Sequence, residues 1–157
     1  MDEERAAAEK RLEWAWMGAT LGGSLPLLGA ALVVYFHGGG FLEQMQQWPV
    51  GLFAVPALLA VVACLLWASK LEANLFSGAR IHGDGSARPS LALVEQRARR
   101  AILPYSLFLE LPIYLMILVS LVGGDLLLLG LTGLYAGYIG FLQQPDFGAV
   151  LAGAQAD

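Results

Sequence analysis

Four stretches of this chain stay apolar for close to the thickness of a bilayer, and this limits its possible folds more than any other feature. A helix that crosses hydrocarbon needs about 20 mostly apolar residues, and only a helix or a closed barrel satisfies its own backbone there. The stretches run from Met17 to Phe36, from Val50 to Ser69, from Ile102 to Val122 and from Leu126 to Leu142. The last is at the short end of the range. Composition agrees: 57% of the 157 residues are hydrophobic and 14% charged, with a mean hydropathy of +0.63. A soluble domain of this size could not cover that much apolar surface. The sequence therefore predicts an all-α integral membrane protein, a bundle of four transmembrane helices forming one membrane domain over 1–157. A polar loop over 71–101 separates the second and third spans. The Gly123-Gly124-Asp125 link is short enough to make the last two spans an antiparallel hairpin.

Lys and Arg set the orientation. Arg5, Lys10 and Arg11 precede the first span, and Lys70, Arg80, Arg88, Arg97, Arg99 and Arg100 follow the second, which accounts for all nine basic residues. Both termini and the loop over 71–101 are thus expected in the cytoplasm, and a bacterial inner membrane is the expected location. The first span is read as retained, because the acid-rich opening MDEERAAAEKRLEWAW is unlike the basic start of a cleaved leader. Trp14, Trp16, Trp48 and Trp67 stand near span ends, where indoles favour the headgroup level.

Several kinds of chemistry find no support. The net charge is −4, so no basic stripe is left to neutralise nucleic-acid phosphates. Cys64 is the one cysteine, and the two histidines, His37 and His82, fall at opposite ends of the predicted bundle. No disulfide, metal site or cofactor is expected. Gly38-Gly39-Gly40 lacks the strand and spacing of a phosphate cradle and reads as an outer turn.

The loop over 71–101 breaks at Gly83, Gly85 and Pro89, and a helical pattern resumes at Ser90, a residue suited to capping. Leu91, Val94, Ala98 and Ala101 recur at helical spacing. This predicts a short amphipathic helix on the inner membrane surface, with Arg97, Arg99 and Arg100 drawn to anionic lipid headgroups at about 1 kcal/mol each.

Within the spans, glycine recurs on stripes. Gly130, Gly133, Gly137 and Gly140 share one face of the fourth span, and Gly18, Gly22 and Gly29, with Ala15, share one face of the first. Such seams let helix backbones approach closely, inside one chain or between subunits. Pro56, Pro104 and Pro112 remove backbone donors; Pro112 frees the carbonyl of Phe108 and Pro56 that of Leu52.

Glu110 is the candidate site residue. It lies eight residues beyond Ile102, about 12 Å into the third span, where an ionised carboxylate costs several kcal/mol unless paired, hydrated or protonated. Ser106 and Tyr114 extend its stripe at i−4 and i+4. Counting depth along the other spans brings Ser24, Tyr135 and Thr132 to the same level, and a hydrogen bond from Glu110 to at least one of them is expected. Three functional classes follow. The first is a non-catalytic accessory or structural subunit of a larger membrane complex, as a homo-oligomer or with other membrane subunits. The second is a small oligomeric transporter or channel using Glu110 for protons or cations. The third is a membrane enzyme holding an anionic lipid or thiol ligand at the basic inner loop.

The charge bias generates a direct test. Reporter fusions at residues 1, 40, 85 and 157 should read inside, outside, inside and inside. An outside signal at residue 85 overturns the topology.

Overall fold

The computed structural model describes residues 2–37, 51–77, 90–123, 126–152 and 154. The Gly38–Gly40 turn, Trp48, His82, Arg80, Arg88 and Asp125 lie outside them. Five helices follow one another: α1 (Asp2–His37), α2 (Gly51–Ser77), α3 (Leu91–Gly123), α4 (Leu126–Leu142) and α5 (Phe147–Leu151). Almost every described residue is helical. Helices α1, α2 and α3 are long and apolar enough to cross a membrane. Helix α4, with 17 residues, spans only about 25 Å.

Helix α3 is the hub, packed against α1, α2 and α4, while α1 also packs against α4. Helices α1 and α3 run parallel, and α2 and α4 run antiparallel to them. The contacts at one end of the bundle establish this: Arg11 meets Glu95, Tyr105 meets Glu72, and the Trp16 indole meets Gly140. The large apolar side chains left uncovered, among them Leu21, Leu25, Leu28, Leu66, Leu118, Leu134 and Phe141, point away from the bundle. An exposed apolar exterior on this scale suits hydrocarbon, which solvates such side chains as well as a core does.

Helices α1 and α3 both continue well past the apolar stretches predicted for them. Helix α1 has 36 residues, about 54 Å, against about 30 Å of hydrocarbon. Ser90 does cap α3: its Oγ accepts from the backbone N–H of Leu93 at 3.4 Å. The segment from Leu91 to Ala101, however, is not a separate helix on the membrane surface. It is the first third of α3, and Leu91, Val94, Ala98 and Ala101 are buried in the protein core. Its apolar stripe finds Ala8 and Leu12 of α1, both fully buried, and so has no need of lipid.

This end of the bundle holds the largest fully buried side chains, Trp16, Tyr105, Phe76 and Phe147. The Trp16 and Tyr105 rings lie 5.7 Å apart, Tyr105 and Phe76 6.0 Å, and Phe76 and Phe147 6.2 Å, the last two pairs edge to face. The chain of rings joins α1, α3, α2 and α5. Trp16 is therefore a core residue, not a headgroup anchor: it is fully buried and its indole N–H donates to the Gly140 carbonyl at 3.0 Å. Trp14 and Trp67 are exposed, as anchors require.

Helix α5 was not anticipated. Asp146 starts it by accepting from the Ala149 N–H at 2.9 Å, and Phe147, Val150 and Leu151 bury one face against α1 and α3. Arg5 fastens the segment beyond it by donating to the Ala154 carbonyl at 2.7 Å.

The packed end should dominate stability. Phe147→Ala removes a ring that is 2% exposed, and such truncations cost about 3–5 kcal/mol. Leu134→Ala, at a site 73% exposed, should change little. Denaturant unfolding of the purified protein in micelles, followed by circular dichroism, distinguishes the two; equal effects would remove α5 from the core.

Candidate functional site

Ser106, Glu110 and Ile113 fall on the buried face of α3, and Tyr114 stands at its rim, 39% exposed. Glu110 itself is only 2% exposed. Helix α1 makes room for it with a glycine. A Cβ on Gly23 would collide with the Glu110 carboxyl, so the acid lies flat against bare backbone where α3 crosses α1. Tyr114 donates its hydroxyl to Glu110 Oε2 at 3.3 Å. Glu110 Oε1 is enclosed and has no hydrogen-bond partner.

The other hydroxyls expected at this level are spent elsewhere. Ser24 donates to the Thr20 carbonyl at 3.1 Å, Thr132 to the Leu128 carbonyl at 2.6 Å, and Ser106 to the Leu103 carbonyl at 3.1 Å. These are bonds to the preceding turn of the same helix, the easiest acceptor for a short hydroxyl in an apolar surrounding. Tyr135 reaches across from α4 to the Leu109 carbonyl at 3.0 Å. Glu110 thus pairs with Tyr114 of its own helix, and the expected bond to Ser24, Thr132 or Tyr135 is not made.

Proline chemistry accounts for part of this arrangement. Pro112 cannot donate to the carbonyl of Phe108, and the Cys64 thiol of α2 takes that acceptor at 3.7 Å. The neighbouring carbonyl of Leu109 receives Tyr135 from α4. The proline interruption of α3 is therefore served from both sides, and Cys64 contributes its weak S–H donor as well as its volume.

The two glycine stripes separate. In α4, Gly133 and Gly140 face α1: a Cβ at Gly133 would meet Leu27 at 3.6 Å, and one at Gly140 would meet the Thr20 hydroxyl at 3.9 Å. Gly130 and Gly137 have open space beside them. In α1, Gly18, Gly22 and Gly29 face away from the rest of the chain, with no atom within 4 Å of a Cβ at any of them. Of the stripe expected on α1, Ala15 packs against the core, and the three glycines make no contact among the described residues. The glycine that does make one, Gly23, belongs to the row Trp16, Thr20, Gly23, Leu27. Its signal in the sequence was this row, one step round the helix from the more regular stripe.

The basic residues of α3 lie at the packed end. Arg97, Arg99 and Arg100 are exposed. Glu95 takes two hydrogen bonds from Arg11 of α1, at 2.8 and 2.7 Å. Those bonds hold the Glu95 carboxyl below the usual carboxylate range, against the opposite effect of partial burial, and the charges of Arg11 and Arg99 add to them. Beside the pair runs a groove of about 300 Å³ lined by Glu4, Ala7, Arg11, Leu91, Ala92 and Glu95. Among the described residues no group of three His, Cys, Asp or Glu side chains is placed to hold a metal ion.

Comparison with known protein families, with characterised proteins and with solved structures gives no match.

The seat of Glu110 can be tested by contrast between adjacent glycines. Gly23→Ala forces the buried carboxyl off α1 and should destabilise by about 1–3 kcal/mol. Gly22→Ala meets open space and should stabilise by a few tenths to about 1 kcal/mol, through helix propensity alone. Unfolding of both variants in micelles checks this. A Gly23→Ala protein as stable as Gly22→Ala would show that α1 does not hold Glu110.

Proposed function

We propose that this chain is a non-catalytic polytopic membrane protein that acts as an accessory or structural subunit of a larger membrane assembly. In this reading all four of α1–α4 cross a bacterial inner membrane, with both termini in the cytoplasm. The short α4, apolar throughout and packed antiparallel to α1 and α3, crosses with them, and the aromatic core and α5 stand on the cytoplasmic side.

The observation that carries the proposal is the outward face of α1. Gly18, Gly22 and Gly29 share it, and none has an atom within 4 Å of a Cβ. A glycine in a helix interior costs about 0.5–1 kcal/mol relative to alanine, and lipid tails give nothing in return. A second helix does, because bare backbone lets it approach closely enough for dispersion to replace lipid contacts. The row continues towards the N-terminus through Arg11, Ala7 and Glu4 at helical steps. Those three residues line the groove beside α3. A partner helix laid along α1 would therefore meet small residues within the span and a polar, partly concave surface beyond it.

The test is purification at native expression in a mild detergent. Wild-type protein should elute with a defined partner or as an oligomer. Gly22→Leu, which faces open space in the single chain, should keep the helical fold, be no less stable than wild type, and lose the partner. Elution of wild type at the mass of one chain plus its micelle, with no companion, would overturn the proposal.

A further inference from the structure

Glu110 presents a problem that packing alone does not solve. An ionised carboxylate has room for about four hydrogen bonds and accepts only. Here one oxygen receives a single bond, from Tyr114, and the other is enclosed without a partner. Among the described residues, the groups that could relieve it are occupied or absent on every side. Helix α1 offers Gly23 and the hydroxyls of Thr20 and Ser24, both turned to their own helix. Helix α4 offers Tyr135, bonded to Leu109, and α2 offers Cys64, bonded to Phe108. The titratable groups on this part of the neighbouring elements are thus Tyr114, Tyr135 and Cys64, and none is a cation. Among the described residues no Lys, Arg or His forms an ion pair with Glu110.

An isolated charge so placed would cost many kcal/mol, whereas a neutral carboxyl leaves only one imperfectly satisfied polar group. A proton is also the one cation small enough to be held in the closed arrangement, since the carboxyl already touches the backbone at Gly23. We infer that Glu110 is a proton-binding site whose occupancy holds α1 against α3: the protonated acid lies in the Gly23 seat, and loss of the proton drives the carboxyl out of it. Ionisation leaves a charge that needs water or a cation, and neither can reach Oε1 until α1 withdraws or Tyr114 swings aside. Tyr114, more than a third exposed at the rim, is the side chain free to do so. The ligand is H⁺, and the response is an opening of the α1–α3 contact. This inference does not rest on assembly through the outward face of α1; a lone chain would show it.

The experiment uses full-length protein in lipid nanodiscs. Infrared difference spectroscopy should find a protonated carboxyl at neutral pH that disappears when the solution is made alkaline. Glu110→Gln, neutral and nearly the same shape, should lack that band. Tyr114→Phe, which keeps the acid and removes its hydrogen bond, should shift the band to higher frequency, so the assignment stands even if the glutamine variant folds poorly. Spin labels at Leu28 of α1 and Leu118 of α3, both exposed, should move apart as the band is lost and stay fixed in Glu110→Gln over the same pH range. Absence of the band in wild type at neutral pH overturns the inference. So does a band that Tyr114→Phe leaves unmoved, or a separation that does not follow the band.

Discussion

An apolar helix gains little by exchanging lipid tails for another apolar helix, so within a bilayer the contacts of α3 must come from close approach and from hydrogen bonds. The apolar part of α3 carries such contacts at a few residues. Gly23 lets the backbone of α1 come down onto Glu110. Pro112 strips a hydrogen bond from α3 and so creates an acceptor that Cys64 of α2 can use, next to the carbonyl that Tyr135 of α4 takes. These polar and small-residue contacts add direction to an apolar seam in which Leu109, Ile113 and Met116 of α3 are buried with Ala30 and Val34 of α1 and Leu128 and Ile139 of α4.

The packed end works by the ordinary rules of a soluble core. There Ala8, Leu12, Trp16, Val94, Ala98, Phe76, Phe147 and Val150 exclude water, and burial itself is the driving force. The exposed Arg11–Glu95 pair adds register more than stability, since ion pairs open to solvent contribute little. Helices α1, α2 and α3 thus combine a water-excluding core at one end with stretches long and apolar enough to cross a membrane. Helix α1 packs through Leu12 and Trp16 at one end and through Gly23, Ala30 and Val34 further on, and α3 through Val94 and Ala98 and then Leu109, Glu110 and Ile113.

This division explains what could be seen in the sequence. The apolar stretches gave α4 its limits, and Ser90 marked the start of α3, because hydropathy and capping are local properties. The burial of Glu110 beside its stripe partner Tyr114 followed from helical spacing. The role of Leu91–Ala101 did not follow, since an amphipathic stripe suits a membrane surface and a protein neighbour equally, and α1 is 80 residues away in the chain. Composition near a span end cannot separate Trp14, which is exposed as an anchor would be, from Trp16, which is buried. The short helix after Asp146 carried a visible signal in its cap and in Phe147, Val150 and Leu151, but five residues are too few to stand out beside spans of twenty. Ser24 follows the glycine that receives the carboxyl, and Tyr135 bonds the carbonyl of Leu109, next to Glu110 in the chain. Hydrogen bonds need direction as well as depth, and direction comes only from the crossing of the helices.

Gly22 and Gly23 are adjacent, and adjacent residues on a helix point about 100° apart. Gly23 faces α3 and receives the carboxyl; Gly22 faces outward over open space. One dipeptide therefore gives α1 two bare surfaces at a single level, little more than a quarter turn apart. On the Gly22 face a displacement of α1 cannot be absorbed by side chains, because Gly18, Gly22 and Gly29 have none. Whatever lies against that face moves with the backbone. If α1 is the contact with a partner and Glu110 binds a proton, the two are mechanically coupled through Gly22 and Gly23. The coupling is also reciprocal, since a partner that favours one position of α1 must change the affinity of Glu110 for its proton by the same free energy.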